Sequence, residues 1–348
     1  MYWYSKKLNK KYYFKHQALL ENDAIGDVEF HMGEVYDNHD WTVEPKDSWK
    51  EILKQHAQKL RDKYRYLRLW YSGGSDSQTV LNAFVDNGIH LDEIFIGRMS
   101  PIDDFNHASE QEINQVAIPQ VRALANDNKI PKTKVTIQDV GYKEYKDWVD
   151  NHITLENSNH RSIRVFYPPV LWKLLPGLND RDGLANINCI EPGRLGTDDN
   201  GVYWYFVDGS LDQDITSPEE DEIVKQEKFY LDPLVHAKQC YLMKHNNKYS
   251  KYTVENFDYA DWYRDNITGV CRDNLFNDIN LGKDGGDFYG SAKAKMSIDA
   301  AMADQRGKYI AMKYKQTLLD TDLDLKHFNN NDPLKGYVGM LSKKYYLQ

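Results

Sequence analysis

The middle of the chain alternates apolar segments of strand length with segments of helical periodicity, and this alternation restricts the fold more than any other feature. Ser48 and Glu51 have the spacing of a capping box, which predicts a helix over 48–63. The run "YRYLRLWYS" then predicts a buried strand. A helix over 76–87 follows, because its apolar residues recur on one face and Gly88 can terminate it.

The same alternation continues beyond this first unit. "LDEIFIGRM" and "KVTIQDV" predict strands, and helices are expected over 110–126 and in "YKEYKDWVDNH". A strand in "GLANINCIEPGRLG" precedes "GVYWYFVDG", which predicts a hairpin across the "TDDN" turn. We therefore expect an α/β fold, a parallel twisted sheet with helices on both faces. The expected division is an N-terminal extension (1–47), the α/β domain (48–212) and a mainly helical C-terminal region (213–348).

Charge and composition exclude several classes of protein. The formal net charge is −9 and the pI is near 5.7, which disfavours non-specific nucleic-acid binding. The three cysteines form no CxxC pair, so a disulfide framework, a zinc site or an iron–sulfur site is not expected. No window approaches 18 apolar residues, and no signal-peptide pattern opens the chain. We expect a soluble protein of the cytoplasm.

The turn "SGGSDS" at 72–77 lies between the first predicted strand of the α/β domain and the helix that follows it. Gly73 and Gly74 permit unusual backbone angles, so several amide groups can point into one concavity. Uncapped amides and the helix dipole favour an anion there, phosphate above all. Ser72, Ser75 and Ser77 add hydroxyl groups with little bulk.

Asp76 is the unusual member of this turn, because a carboxylate repels phosphate. A magnesium ion between the two would remove the repulsion, which makes Asp76 a candidate metal ligand. The turn is not a Walker A loop, since the lysine of G-x-x-x-x-G-K-[ST] is missing, and it lacks G-x-G-x-x-G. The expected ligand is a magnesium-bound polyphosphate.

The motif S-G-G-S-D-S resembles the PP-loop of the ATP pyrophosphatases, whose pattern is S-G-G-x-D-S after the first strand. This family includes asparagine synthetase, argininosuccinate synthetase and NAD synthetase. The resemblance implies that the loop holds the pyrophosphate of ATP, that magnesium accompanies it, and that AMP is transferred to a substrate oxygen. It covers about residues 60–210 in the order of strands and helices, and only the six-residue motif is specific.

The resemblance also implies further site residues. In the family, backbone atoms at the end of the second strand hold adenine, which here corresponds to Ile96 and Gly97, while Arg98 could reach phosphate. A second loop follows the fourth strand, and Glu191 and Arg194 are the candidates there for substrate or phosphate contact. A surface arginine at 98, and a turn with an ion pair at 191–194, are alternatives of equal weight.

Other parts of the chain depart from individual members of the family. No N-terminal cysteine is present for a class II glutaminase, and no CxxC pair supports sulfur transfer. "GKDGGDFYG" at 282–290 resembles the second loop of asparagine synthetases, and Lys283, Asp284 and Asp287 would matter if it reached the site. It lies about 210 residues after the first loop, roughly double the separation in the family. Phe288 also stands where the family pattern has a glutamate.

The resemblance implies an AMP-forming enzyme that adenylates a carboxylate, amide or ureido oxygen, after which ammonia or an amine from a separate source attacks. The expected acceptor is a small molecule or a nucleotide. A base-modifying enzyme acting on nucleic acid is an alternative, because "SKKLNKK" and "SAKAK" provide local lysine clusters. A sensor that binds ATP or AMP without turnover is a third.

Overall fold

The fold is that of a computed structural model. The structure describes residues 1–13, 15–22, 25–98, 113–139, 183–189, 193–208, 225–252, 259–272, 323–328, 331 and 338–348. Several predicted features lie outside these residues: the helix "YKEYKDWVDNH", Glu191 and the loop 282–290.

The described strands are β1 (Tyr2–Ser5), β2 (Lys10–Tyr12), β3 (Val28–His31), β4 (Tyr66–Trp70), β5 (Glu93–Arg98), β6 (Lys134–Asp139), β7 (Leu184–Asn188), β8 (Arg194–Asp198), β9 (Gly201–Tyr205), β10 (Lys225–Lys228) and β11 (Tyr345–Leu347). The described α-helices are α1 (Lys15–Glu21), α2 (Glu34–Asp37), α3 (Trp49–Lys63), α4 (Ser75–Val85), α5 (Ile118–Asn126), α6 (Pro233–Asn246) and α7 (Tyr259–Asn266). A π-helical turn, Ile113–Ala117, leads into α5. None of these helices has both the length and the apolar character that crossing a bilayer requires.

The central sheet has five parallel strands in the order β10-β7-β4-β5-β6. Successive strands β4, β5 and β6 run outward to one edge, and β7 and β10 continue on the other side of β4. This is a Rossmann-like arrangement, in which the direction of strand addition reverses between β4 and β7. The predicted α/β class with a parallel sheet is confirmed, and the sheet extends past residue 212 because β10 belongs to it.

The helices next to this sheet form where the sequence predicts them. Ser48 accepts a hydrogen bond from the Glu51 amide at 3.3 Å and so caps α3. Val80, Leu81 and Phe84 of α4 are fully buried. The apolar faces of α3, α4 and α5 pack in one core with alternate residues of β4 and β5. These three helices therefore lie on one face of the sheet.

A second core joins the two ends of the chain. Strands β1, β2 and β3 form one small antiparallel sheet, and β8, β9 and β11 form another. Trp3 from the first sheet and Trp204 from the second are fully buried in this core, together with residues of α6 and α7. Trp204 stacks on Tyr345 with ring centroids 4.1 Å apart. The residues expected to be an N-terminal extension thus pack with the C-terminal strand.

Candidate functional site

The loop 72–77 follows β4 at the carboxyl edge of the central sheet. The Tyr71 amide donates to the Phe95 carbonyl oxygen at 2.9 Å, which carries the pairing of β4 with β5 to the start of the loop. The loop therefore begins beside the reversal between β4 and β7. In open α/β sheets this reversal forms the crevice in which ligands bind.

Gly73 gives the loop its shape. Its φ is +81°, a left-handed conformation that residues with a side chain rarely adopt. A Cβ atom at this position would lie 2.9 Å from the Ala117 amide nitrogen and 3.1 Å from the Ala117 Cβ. The loop is therefore packed against the residue just before α5, and only glycine fits there.

The amides at the start of α4 have no side-chain cap in the described part of the chain. The first bond inside the helix runs from the Gln78 amide to the Gly74 carbonyl oxygen at 2.8 Å. The amides of Ser75, Asp76 and Ser77 precede it, and Gly74 has no side chain with which to accept from them. With the helix dipole, these donors favour a bound anion.

The serines of the loop interact with the loop backbone. The Ser72 amide donates to the Ser77 hydroxyl at 3.3 Å, and the Gly74 amide donates to the Ser72 hydroxyl at 3.3 Å. The Ser77 hydroxyl donates in turn to the Gly74 carbonyl oxygen at 3.0 Å. Contacts at 3.3 Å are long for amide donors, so a phosphate oxygen could compete with these hydroxyl acceptors.

Asp76 forms an ion pair with an arginine that the sequence analysis did not single out. Arg272 lies just after α7, and its Nε is 2.5 Å from Asp76 Oδ1. The Arg272 side chain is fully buried, whereas 18% of the Asp76 side chain is exposed. Arg272 also donates to Gln239 Oε1 at 3.0 Å and to the Cys271 carbonyl oxygen at 2.8 Å. No local motif marks Arg272, because its partner lies 196 positions earlier.

Two tyrosines connect the loop to the same region. The Arg272 guanidinium carbon lies 3.6 Å from the centre of the Tyr230 ring, and the Tyr230 hydroxyl donates to the Asp76 carbonyl oxygen at 2.7 Å. The Tyr263 hydroxyl, on α7, is 3.1 Å from the Ser75 hydroxyl oxygen. Burial raises the pKa of both tyrosines well above the ordinary value, so both hydroxyls stay protonated.

The electrostatics of this cluster keep the arginine charged. Burial by itself would lower the pKa of Arg272, but its acidic surroundings, which include the Asp76 carboxylate, raise that pKa well above its usual value. The positive charge next to the Asp76 carboxylate is therefore that of the Arg272 guanidinium.

The residues around Asp76 do not fit a magnesium ion held by its carboxylate. One carboxylate oxygen is already bonded to Arg272, and a divalent cation there would lie against a buried positive charge. Within the described ranges, no group of three or more His, Cys, Asp or Glu side chains could hold a metal.

The other predicted site residues fall at different places. Ile96 is fully buried, and Gly97 pairs with Gln138 near the carboxyl end of β5, along the same edge as the loop. Arg98 is the last residue of β5, and its backbone pairs with Asp139.

Arg194 belongs to β8 of a small sheet, where it is paired with Tyr205. Burial raises the pKa of Tyr205, and the charge of Arg194 partly opposes this effect. The structure thus places Arg194 in a different sheet from the loop, while Glu191 lies outside the described residues.

A surface groove of about 660 Å³ lies along α3 and the turn that follows α4. Its lining includes Lys54, Lys59 and Asp62, but no residue of the loop 72–77. The loop is the stronger candidate site, because it combines a constrained glycine, uncapped amides and a buried ion pair.

Comparisons with protein-family models, with curated proteins and with solved structures find no match to this chain. The assignment of a function therefore depends on the geometry of the loop and on the motif within it.

Proposed function

We propose that the chain binds ATP with the pyrophosphate end on the loop 72–77 and transfers AMP to an oxygen atom of an acceptor. The observation that carries this proposal is the position of the loop. The loop follows β4 beside the strand-order reversal, Gly73 turns it at φ +81°, and the uncapped first turn of α4 comes next. Amides in this arrangement are suited to two linked phosphates.

The reaction would occur at the α-phosphorus. An acceptor oxygen attacks that phosphorus, the bond to the β-phosphate oxygen breaks, and pyrophosphate leaves with the electron pair of the broken bond. The main contribution of the protein to such a transfer is positioning and charge stabilisation. Magnesium would be bound by the phosphate oxygens of ATP and by water, as is common for nucleotides.

The residues of this chain have separate tasks in the proposal. The amides of Ser75, Asp76 and Ser77 bind the leaving pyrophosphate, which gains charge as the bond breaks. The end of β5, at Ile96–Arg98, is the proposed position of the adenine. The C-terminal region contributes Tyr263 and Arg272 to the loop, so we place the acceptor on that side.

The test is the identity of the phosphate released from ATP. The full chain is incubated with ATP, magnesium and candidate carboxylate, amide and amine acceptors, and pyrophosphate and orthophosphate are measured separately. We expect pyrophosphate from the wild type and a loss of at least ~100-fold in Asp76→Ala, because a buried Arg272 without its counter-charge would displace the start of α4 and with it the amides of the loop. Asp86→Ala, at the other end of α4, is the matched control and should keep the activity. Release of orthophosphate by the wild type would refute the proposal.

A second candidate function is the same chemistry on a nucleic-acid base, and the outer face of the N-terminal sheet favours it. Tyr2 stacks on His31 at 4.9 Å, and Lys11 Nζ lies 4.5 Å from the Tyr2 ring centre. The surrounding lysines are exposed: Lys7 and Lys11, together with Lys6 and Lys10, which pair with Glu29 and Glu21. Aromatic rings with nearby cations are typical of surfaces that bind single strands.

Fluorescence anisotropy with a labelled single-stranded RNA tests this candidate. Binding should weaken steeply between about 50 and 200 mM salt, and Lys7→Ala with Lys11→Ala should reduce the salt dependence. Lys248→Ala, an exposed lysine elsewhere, is the control. Binding that is absent at low salt leaves the small-molecule acceptor as the better candidate. ATP binding without release of any phosphate would instead identify a sensor.

A further inference from the structure

The carboxylate of Asp76 creates an electrostatic problem at the start of α4. It lies in the first helical turn, where the amides and the dipole favour an anion, and its negative charge would repel a phosphate bound to those amides. Some positive charge must offset it before a polyphosphate can bind. The residues around Asp76 do not fit a metal, but they include Arg272 at 2.5 Å.

Arg272 is held in place on several sides. The Tyr230 ring covers the guanidinium at 3.6 Å, and the Cys271 carbonyl oxygen accepts from Nη1 at 2.8 Å. Gln239 accepts from Nη2 at 3.0 Å. Because the Arg272 side chain is fully buried, its charge cannot be hydrated, and among the described residues the carboxylate that pairs with it is Asp76.

The hydrogen bond from Arg272 to Gln239 is accompanied by an unfavourable feature of the Gln239 side chain. Its side chain is fully buried, and its Oε1 accepts from Arg272, while its Nε2 finds no acceptor within the described part of the chain. A buried amide nitrogen without an acceptor is unfavourable. Gln239 is therefore oriented so that Oε1 accepts from Arg272, and this orientation leaves the Nε2 amide without an acceptor.

We propose that Arg272 is the positioning residue that neutralises Asp76, so that the loop 72–77 accepts a polyphosphate without a metal ion on the Asp76 carboxylate. The proposal rests on the function proposed above and assigns to a residue of this chain the charge that the family resemblance assigns to magnesium. Arg272 acts through Asp76 and need not touch the ligand.

The experiment measures binding of inorganic pyrophosphate to the full chain by calorimetry, in EDTA and in excess magnesium. The quantity of interest is the ratio of the two dissociation constants, because it cancels general losses of stability. The variants are Arg272→Gln, Arg272→Lys and the pair Asp76→Asn with Arg272→Gln. The control is Arg264→Gln, at an exposed arginine of α7. Magnesium binds free pyrophosphate equally in every sample, so comparing each ratio with that of the control removes this effect.

We expect the wild type and the control to have the same ratio and to bind pyrophosphate in EDTA. Arg272→Gln should lose at least ~100-fold in EDTA, and Arg272→Lys should retain most of the binding. Asp76→Asn with Arg272→Gln should restore binding in EDTA to within ~10-fold of the wild type, since neither charge remains. This double variant also serves if Arg272→Gln alone does not fold, because it leaves no uncompensated charge.

Three other results would contradict the proposals. A wild type that binds pyrophosphate only with magnesium would overturn the role of Arg272 but leave the proposed function standing. A double variant that binds under neither condition would do the same. A folded wild type that binds pyrophosphate under neither condition would overturn the proposed function itself.

Discussion

The ring of Tyr230 lies 3.6 Å from the guanidinium carbon of Arg272, while the hydroxyl of the same tyrosine donates to the Asp76 carbonyl oxygen at 2.7 Å. One side chain thus supports both members of the ion pair at the loop. Tyr230→Phe should cost about 1 kcal/mol, the value of one hydrogen bond. Tyr230→Leu should cost about 2 kcal/mol more, because the cation–π contact is also lost.

Urea unfolding of the two Tyr230 variants measures these differences. Tyr4→Phe is the control, since the Tyr4 hydroxyl bonds to Asn9 at the surface, and it should leave the free energy of unfolding unchanged. Equal losses in Tyr230→Phe and Tyr230→Leu would show that the ring contributes nothing to holding Arg272.

Gly73 and Gly88 provide a matched pair of left-handed glycines. A Cβ atom added at Gly88, where φ is +65°, would have no described atom within 4 Å, whereas a Cβ atom added at Gly73 would meet Ala117 at 2.9 Å. Gly88→Ala should therefore cost about 1–2 kcal/mol from the backbone conformation alone. Gly73→Ala should cost about 3 kcal/mol or more, because overpacking adds to that strain.

Thermal and chemical unfolding of both glycine variants, with pyrophosphate binding measured alongside, check this prediction. Gly73→Ala should also abolish binding, and Gly88→Ala should preserve it. Similar stability losses in the two variants would mean that the loop can move away from Ala117.

His236 should make the protein sensitive to mild acid. Its side chain is fully buried, and burial, aided by the charge of Arg272, lowers its pKa to about 3. An unfolded histidine titrates near pH ~6.5, so between these values the unfolded state binds the additional proton. Stability conferred by neutral His236 is therefore complete above pH ~6.5 and falls by about 1.4 kcal/mol per unit as the pH decreases towards 3.

Urea unfolding between about pH 7 and 5 measures this slope before most carboxylates titrate. Burial works against ionisation of Asp232, yet its contacts with His56 and Lys59 hold its pKa below the ordinary value, so the stability that ionised Asp232 confers is lost only in stronger acid. His236→Phe should flatten the slope, since Phe keeps the stacking on Phe206. His90→Gln, at the surface, should not change it. An unchanged slope in His236→Phe would assign the acid sensitivity to other groups.

The buried pair of Lys15 and Asp208 should stabilise the junction of the chain ends. Both side chains are fully buried, with Nζ and Oδ2 2.7 Å apart, and Asp208 also accepts from Trp3 Nε1 at 2.8 Å and from the Met340 amide at 2.8 Å. Lys15→Met leaves a buried carboxylate without its cation and should cost about 3–5 kcal/mol.

The surface pair of Lys10 and Glu21 is the comparison for Lys15. Lys10→Met should leave the midpoint of urea unfolding unchanged, because exposed ion pairs contribute little. If Lys15→Met has as small an effect as Lys10→Met, the pair of Lys15 and Asp208 is dispensable for folding.

Much of the central fold could be predicted from local patterns. The cap at Ser48, the turn at Gly88 and the apolar faces of α3 and α4 depend on residues only three or four positions apart, and these predictions are confirmed. The hairpin of β8 and β9 depends on a short turn and is also confirmed. The parallel sheet followed from the alternation of strands and helices.

By itself, the sequence determined α3, α4, the strands β4 to β7 and the glycine turn at 72–77, because these arise from periodicity and from backbone angles that neighbouring residues control. Tertiary structure alone decided that Arg272 meets Asp76 and that Trp3 shares a core with Trp204. Such contacts join segments far apart in the chain, and their energy depends on burial and on mutual distance. Neither quantity is present in a local pattern of residues.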